Sequence, residues 1–335
     1  VAYCVKNPAI EMERKGILVL ELGPAAENVL RRCLKVSPSE VVLVVTDEAC
    51  RVPAFSFWEK ARELGCEAVL AEIKARVTHG EEPPAPVAQA MRASQVCLLV
   101  TSKSLSHTKA RREACCAGSR IASLPGITSD MMARTLDADY GEIADFTLRV
   151  AAKLADSRDI LVTTPSGTHL SLRAEGRPVH PDTGIYAEPG AFGNLPAGEV
   201  YLAPLEGTAT GVVVIDGSIA GVGLVDVPVR VEIRDGLAGE ITGGKAAQAL
   251  RSLLDSAGRE ARNVGELGLG TNSRATLVGN ILEDEKVLGT AHIAFGSNAT
   301  FGGMVSVASH LDGILLRPTV VVDGRVLVRD GSLLV

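Results

Sequence analysis

Aromatic residues are scarce: Phe, Tyr and Trp together make up 3% of the 335 residues, and there is a single Trp. With few rings to stack on unpaired bases, a single-strand nucleic-acid platform is excluded. Positive charge is also in deficit, 34 Lys and Arg against 40 Asp and Glu for a net −6. Such a chain does not bind nucleic acid by neutralising phosphates. Long apolar runs are missing. The strongest, Val41 to Val45 and Val212 to Ile215, are strand-sized and far short of the roughly 18 residues of a membrane span. The opening VAYCVKNPAIEMERKG mixes in charge early and has no apolar h-region, so no cleaved leader is expected. Cysteine stops early: the seven lie at 4, 33, 50, 66, 97, 115 and 116. An odd number without CxxC spacing is the pattern of free thiols in a reducing cytoplasm, the compartment expected here. The neighbours Cys115 and Cys116 read as small apolar filler of a helix rather than as a redox pair. Phosphate-binding patterns (GxxxxGK followed by Ser or Thr, GxGxxG after an early strand) and the GxSxG nucleophile elbow are absent too.

What is present is an α/β chain of two textures. Over 1–157, apolar strand runs alternate with helical periodicity: a strand over 17–22, a helix over 24–34, and buried strands at Val41–Thr46 and Val96–Thr101. Between and after them come strands at 68–73 and 120–123 and helices at 54–64, 87–93 and 108–117. That alternation predicts a parallel sheet covered by helices. Ile143, Phe146, Val150 and Leu154 share one helical face, so a long amphipathic helix closes this domain or bridges to the next. Over 158–335 glycine becomes frequent and β-branched residues come in short runs. Asp-Gly pairs at 216–217, 235–236, 312–313, 323–324 and 330–331 are hairpin signals. A β-rich, mostly antiparallel α+β domain follows, with one confident helix at 245–254.

The chemistry-bearing residues cluster in Gly-rich stretches of the second domain. Glu199 lies in NLPAGEVYLAP, Glu266 in VGELGLGTN, His292 in LGTAHIAFG, and His310 with Asp312 in VASHLDGIL. Strand residues two apart share a face, so His310 and Asp312 project together and could hold one metal ion. A charged Glu266 between Leu and Gly is costly to bury without a cation or hydrogen bonds. Singly, each has a plainer reading: Glu199 as an exposed strand residue, Glu266 as an acceptor at a turn, His292 as a core histidine. Together, three carboxylates and two imidazoles suit a pair of divalent ions such as Zn, Co or Mn, one carboxylate bridging. With no cysteine beyond Cys116, the site is an oxygen and nitrogen one.

Taken in order, those four segments resemble the metal-site segments of the aminopeptidase T family. SKSLSHTKARREACCAGSRIASLPGITSDMMAR extends the resemblance into the first domain, so that it runs from near Gln95 to the C-terminus. It implies a two-metal aminopeptidase, a homodimer acting on small peptides, in which Glu199, Glu266, His292, His310 and Asp312 are ligands. Glu199 or Glu266 would then move the proton of the attacking water. The position of that family's catalytic Tyr is Ala299, so oxyanion stabilisation falls to the metals, His107 or Asn298. A divergent relative of the same fold, the Fe(II)-dependent 2,5-dihydroxypyridine dioxygenase, uses a mononuclear His/His/Asp site. It has a histidine at the position of Glu266 and does not keep the ligand types of Glu199 and His292. Because the peptidase set is complete here, the hydrolase ranks first and the ring-cleaving dioxygenase, acting on a small molecule, second. His107 in SLSHT resembles a substrate-contacting histidine of the dioxygenase, and Glu188 in YAEPG an acidic residue lining its pocket. Their plainer readings are a residue at a helix N-terminus and a loop carboxylate.

Overall fold

A computed structural model describes residues 21–335. The strand expected over 17–22 lies outside the described residues except for Glu21 and Leu22, which are not in a strand. The chain divides into two units. One runs up to Ala138 and takes back Ile185–Leu195; the other comprises Asp139–Gly184 and Pro196–Val335. The division therefore differs from a single cut at 157.

In the first unit, β1 (Val41–Thr46), β2 (Glu67–Glu72), β3 (Val96–Val100) and β4 (Arg120–Ser123) alternate with the helices Arg51–Glu63, Ala85–Ala93 and Lys109–Cys116. β1 and β3 are buried on both faces, as β-branched and leucine runs in a covered parallel sheet must be. The strands pair in parallel in the order β2-β1-β3-β4, and the returning segment adds Phe192–Asn194 beside β4. Leu43, Val45, Cys97, Leu99 and Ile121 form the core under Met91, Ala110 and Ala114. The helix expected over 24–34 begins at Gly23, with Pro24 in its first turn, and widens into a π turn at Val29–Cys33. The six described cysteines are free thiols. Cys115 is half-buried and packs against this core, as apolar filler does, whereas Cys116 is exposed; the fully buried stripe of that helix falls on Ala110 and Ala114.

The second unit carries β5 (Asp159–Thr163), β6 (His169–Arg173), β7 (Val179–Asp182), β9 (Glu199–Leu202), β10 (Thr210–Ile215), β11 (Ser218–Ile219) and β12 (Gly223–Leu224); β8 is Phe192–Asn194 of the first unit. It continues with β13 (Val229–Arg234), β14 (Leu237–Thr242), β15 (Val264–Gly270), β16 (Ala291–Gly296), β17 (His310–Leu315), β18 (Thr319–Val322), β19 (Arg325–Arg329) and β20 (Ser332–Leu333). These form an eight-stranded sheet, β14-β13-β10-β6-β5-β18-β19-β20, and a seven-stranded sheet, β12-β11-β17-β16-β15-β9-β7. Both share one core with the helices Tyr140–Leu154 and Gly244–Ala257. The first of these helices buries Val150 and Leu154 in that core, which is why it belongs to this unit.

Three of the five Asp-Gly pairs make two-residue hairpins. Asp235, Asp323 and Asp330 have φ of 48–49° and the following glycines 75–80°, the doubly left-handed turn that matches strand twist. The other two do not. Asp216-Gly217 carries the chain from one sheet to the other, and Asp312-Gly313 lies within β17. Tertiary packing overrides the turn signal there: a Cβ on Gly313 would run into the side chain of Ile215.

Period-two alternation sorts the seven-stranded sheet into a core face and a working face. Val200 and Leu202 of β9, Leu267 and Leu269 of β15, and Ile293 and Phe295 of β16 point into the core. Their alternates, Glu199, Tyr201, Gly268 and His292, take the opposite face. Glu266, two residues before Gly268, is on that face as well, and the bulge between Val264 and Glu266 returns Val264 to the core. No helix among the described residues is long and apolar enough to cross a membrane.

Candidate metal centre

Strand pairing brings the five expected ligands together. β15 is flanked by β9 and β16, and β16 by β17. Glu266 lies across from Ala294, which in turn faces Asp312. Two ligand groups result, Glu199/Glu266/His292 and Glu266/His310/Asp312. Glu266 belongs to both, and its oxygens are divided: Oε1 is 3.1 Å from Nε2 of His292, Oε2 3.4 Å from Nε2 of His310. Nε2 of His310 is also 3.4 Å from Oδ1 of Asp312. Ligand atoms about 2.1 Å from one ion at tetrahedral to octahedral angles stand roughly 3.0–3.4 Å apart. Nδ1–H of His310 donates to the Ser297 carbonyl at 2.8 Å, which fixes the tautomer and leaves Nε2 to face the carboxylates.

His292 is fully buried, its ring lying over Gly268. A side chain there would occupy the space of the imidazole, which is why the strand reads GELGLG. Buried polar atoms without a hydrogen bond include Glu199 Oε2, His292 Nδ1 and Asp312 Oδ1. Carboxylate oxygens orphaned in this way are costly unless a cation meets them. Divalent metal fits the site on that ground and by donor type.

The charges are strongly coupled. Burial opposes protonation of His292, but the hydrogen bond to Glu266 and the charges of Glu199 and Glu266 outweigh it and raise the imidazole to about 9. The same balance, with Asp312 and Glu266 as partners, raises His310 well above its ordinary range. Burial would raise Glu266, yet its bonds to both histidines hold it far below the usual carboxylate value. Glu199 goes the other way, burial prevailing over the nearby Lys286.

Lys286 escapes a sequence reading. In EDEK it looks like part of a solvated charge run, but its side chain is 1% exposed and Nζ lies 2.7 Å from Glu199 Oε1, with Glu285 as its other partner. Burial pushes the Glu285 carboxyl up to about 8. An aromatic group was missed as well. His180 stacks on Tyr201 at 5.2 Å, Phe301 stands edge-on to Tyr201 at 5.5 Å, and Phe301 meets the His310 ring at 5.9 Å. The two-residue step from Glu199 to Tyr201 was the available signal.

The remaining expected residues are not members of these ligand groups. Asn298 is buried and its amide is already engaged: Nδ2 donates to Glu206, between β9 and β10, and Oδ1 accepts from Val305 N–H of its own loop. This corrects its expected role as a free donor to substrate. Ala299 begins a short 3-10 turn that carries Phe301. His107, exposed before the helix Lys109–Cys116, and Glu188, exposed in a turn, belong to the first unit, whereas the centre is built wholly from the second.

The fold has relatives among solved structures. The structure is similar to that of 2,5-dihydroxypyridine dioxygenase from Pseudomonas putida KT2440, with a TM-score of 0.80 and 20% identity over 94% of this chain and 97% of that one. It is also similar to wild-type AmpT from Thermus thermophilus, with a TM-score of 0.69 and 21% identity over 94% and 99%. No curated protein matches the sequence. The family model for NicX, 2,5-dihydroxypyridine 5,6-dioxygenase, matches residues 21–335. That match reverses the ranking drawn from the ligand set, which had placed the peptidase first. The chain belongs to the NicX family.

Proposed function

We propose that this protein is a ring-cleaving dioxygenase that uses one Fe(II) ion held by Glu266, His310 and Asp312 and acts on a hydroxylated six-membered aromatic or N-heteroaromatic ring. The observation that carries the reading is the aromatic wall beside the only ligand open to solvent. His310 is 33% exposed while Glu266 and Asp312 are nearly closed off, and Phe301, Tyr201 and His180 gather on its side. In a chain with so few aromatic residues, rings placed there favour a flat substrate by stacking and edge contacts. A bound iron supplies the dioxygen chemistry, which no side chain can.

The protein's own groups do the rest. Ser297 orients His310, and His292 holds Oε1 of Glu266 so that Oε2 is left for the metal. Burial and the charges of Glu199 and Asp182 keep the Tyr201 phenol protonated, a neutral donor beside the ring. One imidazole and two carboxylates form a harder set than two imidazoles and one carboxylate. Together with one divalent ion, the two carboxylates leave the centre neutral.

A second reading, a two-metal aminopeptidase, is favoured by the completeness of the Glu199/Glu266/His292 group. The deciding experiment reconstitutes the protein with Fe(II) without oxygen, then follows oxygen uptake with 2,5-dihydroxypyridine and hydrolysis of aminoacyl-arylamides in parallel. One oxygen consumed per ring opened is expected. Release of arylamine with no oxygen uptake on any dihydroxylated ring would establish the peptidase instead.

A further inference from the structure

We propose that Lys286 sets the metal count of this centre: its ammonium takes the place beside Glu199 that a second divalent ion would otherwise hold. The inference rests on the metal centre described above and adds to it the residue that keeps the Glu199/Glu266/His292 group free of metal.

The side chain is built in rather than draped over a surface. It is 1% exposed, with Nζ 2.7 Å from Glu199 Oε1 and paired also with Glu285. Its backbone is tied at both ends: its N–H donates to the Glu283 carbonyl and its carbonyl accepts from Asn272 N–H, each at 2.9 Å. Asn272 also reaches the segment just before β9, its Nδ2 donating to the Ala197 carbonyl at 2.7 Å, while Thr271 N–H donates to the Gly198 carbonyl at 2.9 Å. The residues that fix Lys286 therefore also fix the start of the strand bearing Glu199. Gly270 makes the approach possible, since a Cβ there would collide with the backbone of Lys286 and Val287.

Electrostatics then exclude a second ion. A cation on the remaining oxygen of Glu199 would sit within roughly 5 Å of the ammonium, well inside the screening length of about 8–10 Å, and both side chains are buried. Lys286 already neutralises Glu199 through Oε1, so a second divalent ion at Oε2 would gain less attraction and meet the repulsion of the ammonium. The group Glu266/His310/Asp312 includes no direct ion pair to a lysine, so it remains the place for one divalent ion.

The test loads the protein with excess Mn(II), removes free metal by desalting, and reads stoichiometry by elemental analysis with the Mn(II) EPR spectrum as a second readout. The native protein is expected to hold one equivalent with a mononuclear six-line signal. Lys286→Met should take up two equivalents and show the broadened spectrum of a coupled pair. Should that variant fail to fold, Glu285→Gln with Lys286→Gln removes the cation together with its second partner and carries the same expectation; Lys286→Arg should stay at one. Two equivalents in the native protein, or one in every folded variant that lacks the cation, would overturn the proposal. No metal at all in the native protein would overturn the centre itself, and the inference with it.

Discussion

Replacing Gly268 by alanine isolates the steric basis of the centre. A Cβ at this position would lie 2.8 Å from Cδ2 of His292 and closer still to Cε1 and Nε2. Non-bonded carbons need about 3.5 Å, so the imidazole must shift by at least about 0.7 Å at Cδ2 and by over 1 Å at Nε2. Since His292 is fully buried, with Gly268 on one side and Ile314 across the other strand pairing, that shift is resisted. Gly268 does not have positive φ, so alanine incurs no backbone penalty, and in an ordinary strand the change would stabilise by about 0.5–1 kcal/mol. Here overpacking should prevail and destabilise by about 1–3 kcal/mol. Losing the 3.1 Å contact from His292 to Glu266 Oε1 loosens the shared ligand, and metal affinity should fall roughly 10–100-fold. Gly239→Ala is the control: that glycine is exposed in β14, and its nearest Cβ neighbour would be at 3.4 Å. Thermal unfolding of the chelated proteins and competitive metal titration provide the assay. If Gly268→Ala melts no lower than Gly239→Ala and binds metal within twofold of the native protein, the close-approach argument is wrong.

The remaining expectations concern charge and substrate. His292 is raised to about 9 in the folded protein from an ordinary 6.5, so its contribution is fully present below 6.5 and disappears as the pH rises through 9; it amounts to on the order of 3 kcal/mol. Metal-free protein should therefore lose stability in denaturant titrations across that window, and the loaded form should lose less because the ion takes over the pairing with Glu266. A flat profile for the metal-free form would contradict the buried pair. Glu266→Gln keeps the shape but removes the shared anion, so bound metal should drop about 100-fold in affinity while circular dichroism stays native. Phe301→Ala removes ring contacts worth about 0.5–1.5 kcal/mol. KM for a hydroxylated ring should rise roughly 2–13-fold with kcat little changed, and a loss confined to kcat would place Phe301 elsewhere.

Local pattern carried much of the result. Val41–Thr46 and Val96–Val100 form buried parallel strands because a continuous apolar run has no face to show to water. His310 and Asp312 share a face because the strand period is two. Both follow from steric and solvation rules acting over a few residues, whereas the five candidate ligands are picked out by residue type in Gly-rich stretches and by family resemblance. What a sequence could not state is which strands lie side by side. Phe192–Asn194 joins the parallel sheet from a distant part of the chain, and Asp312-Gly313 is held in β17 by packing against Ile215 although the dipeptide favours a turn. Lys286 is the sharpest case. A lysine in a run of acids reads as solvated surface, yet loop closure by Asn272 and the space above Gly270 deliver it to Glu199. Sequence alone determined the donor types and the oxygen and nitrogen character of the centre. Only tertiary structure decided that one of its two ligand groups already contains a cation, because charge compensation in a buried site depends on distance in space and not on distance along the chain.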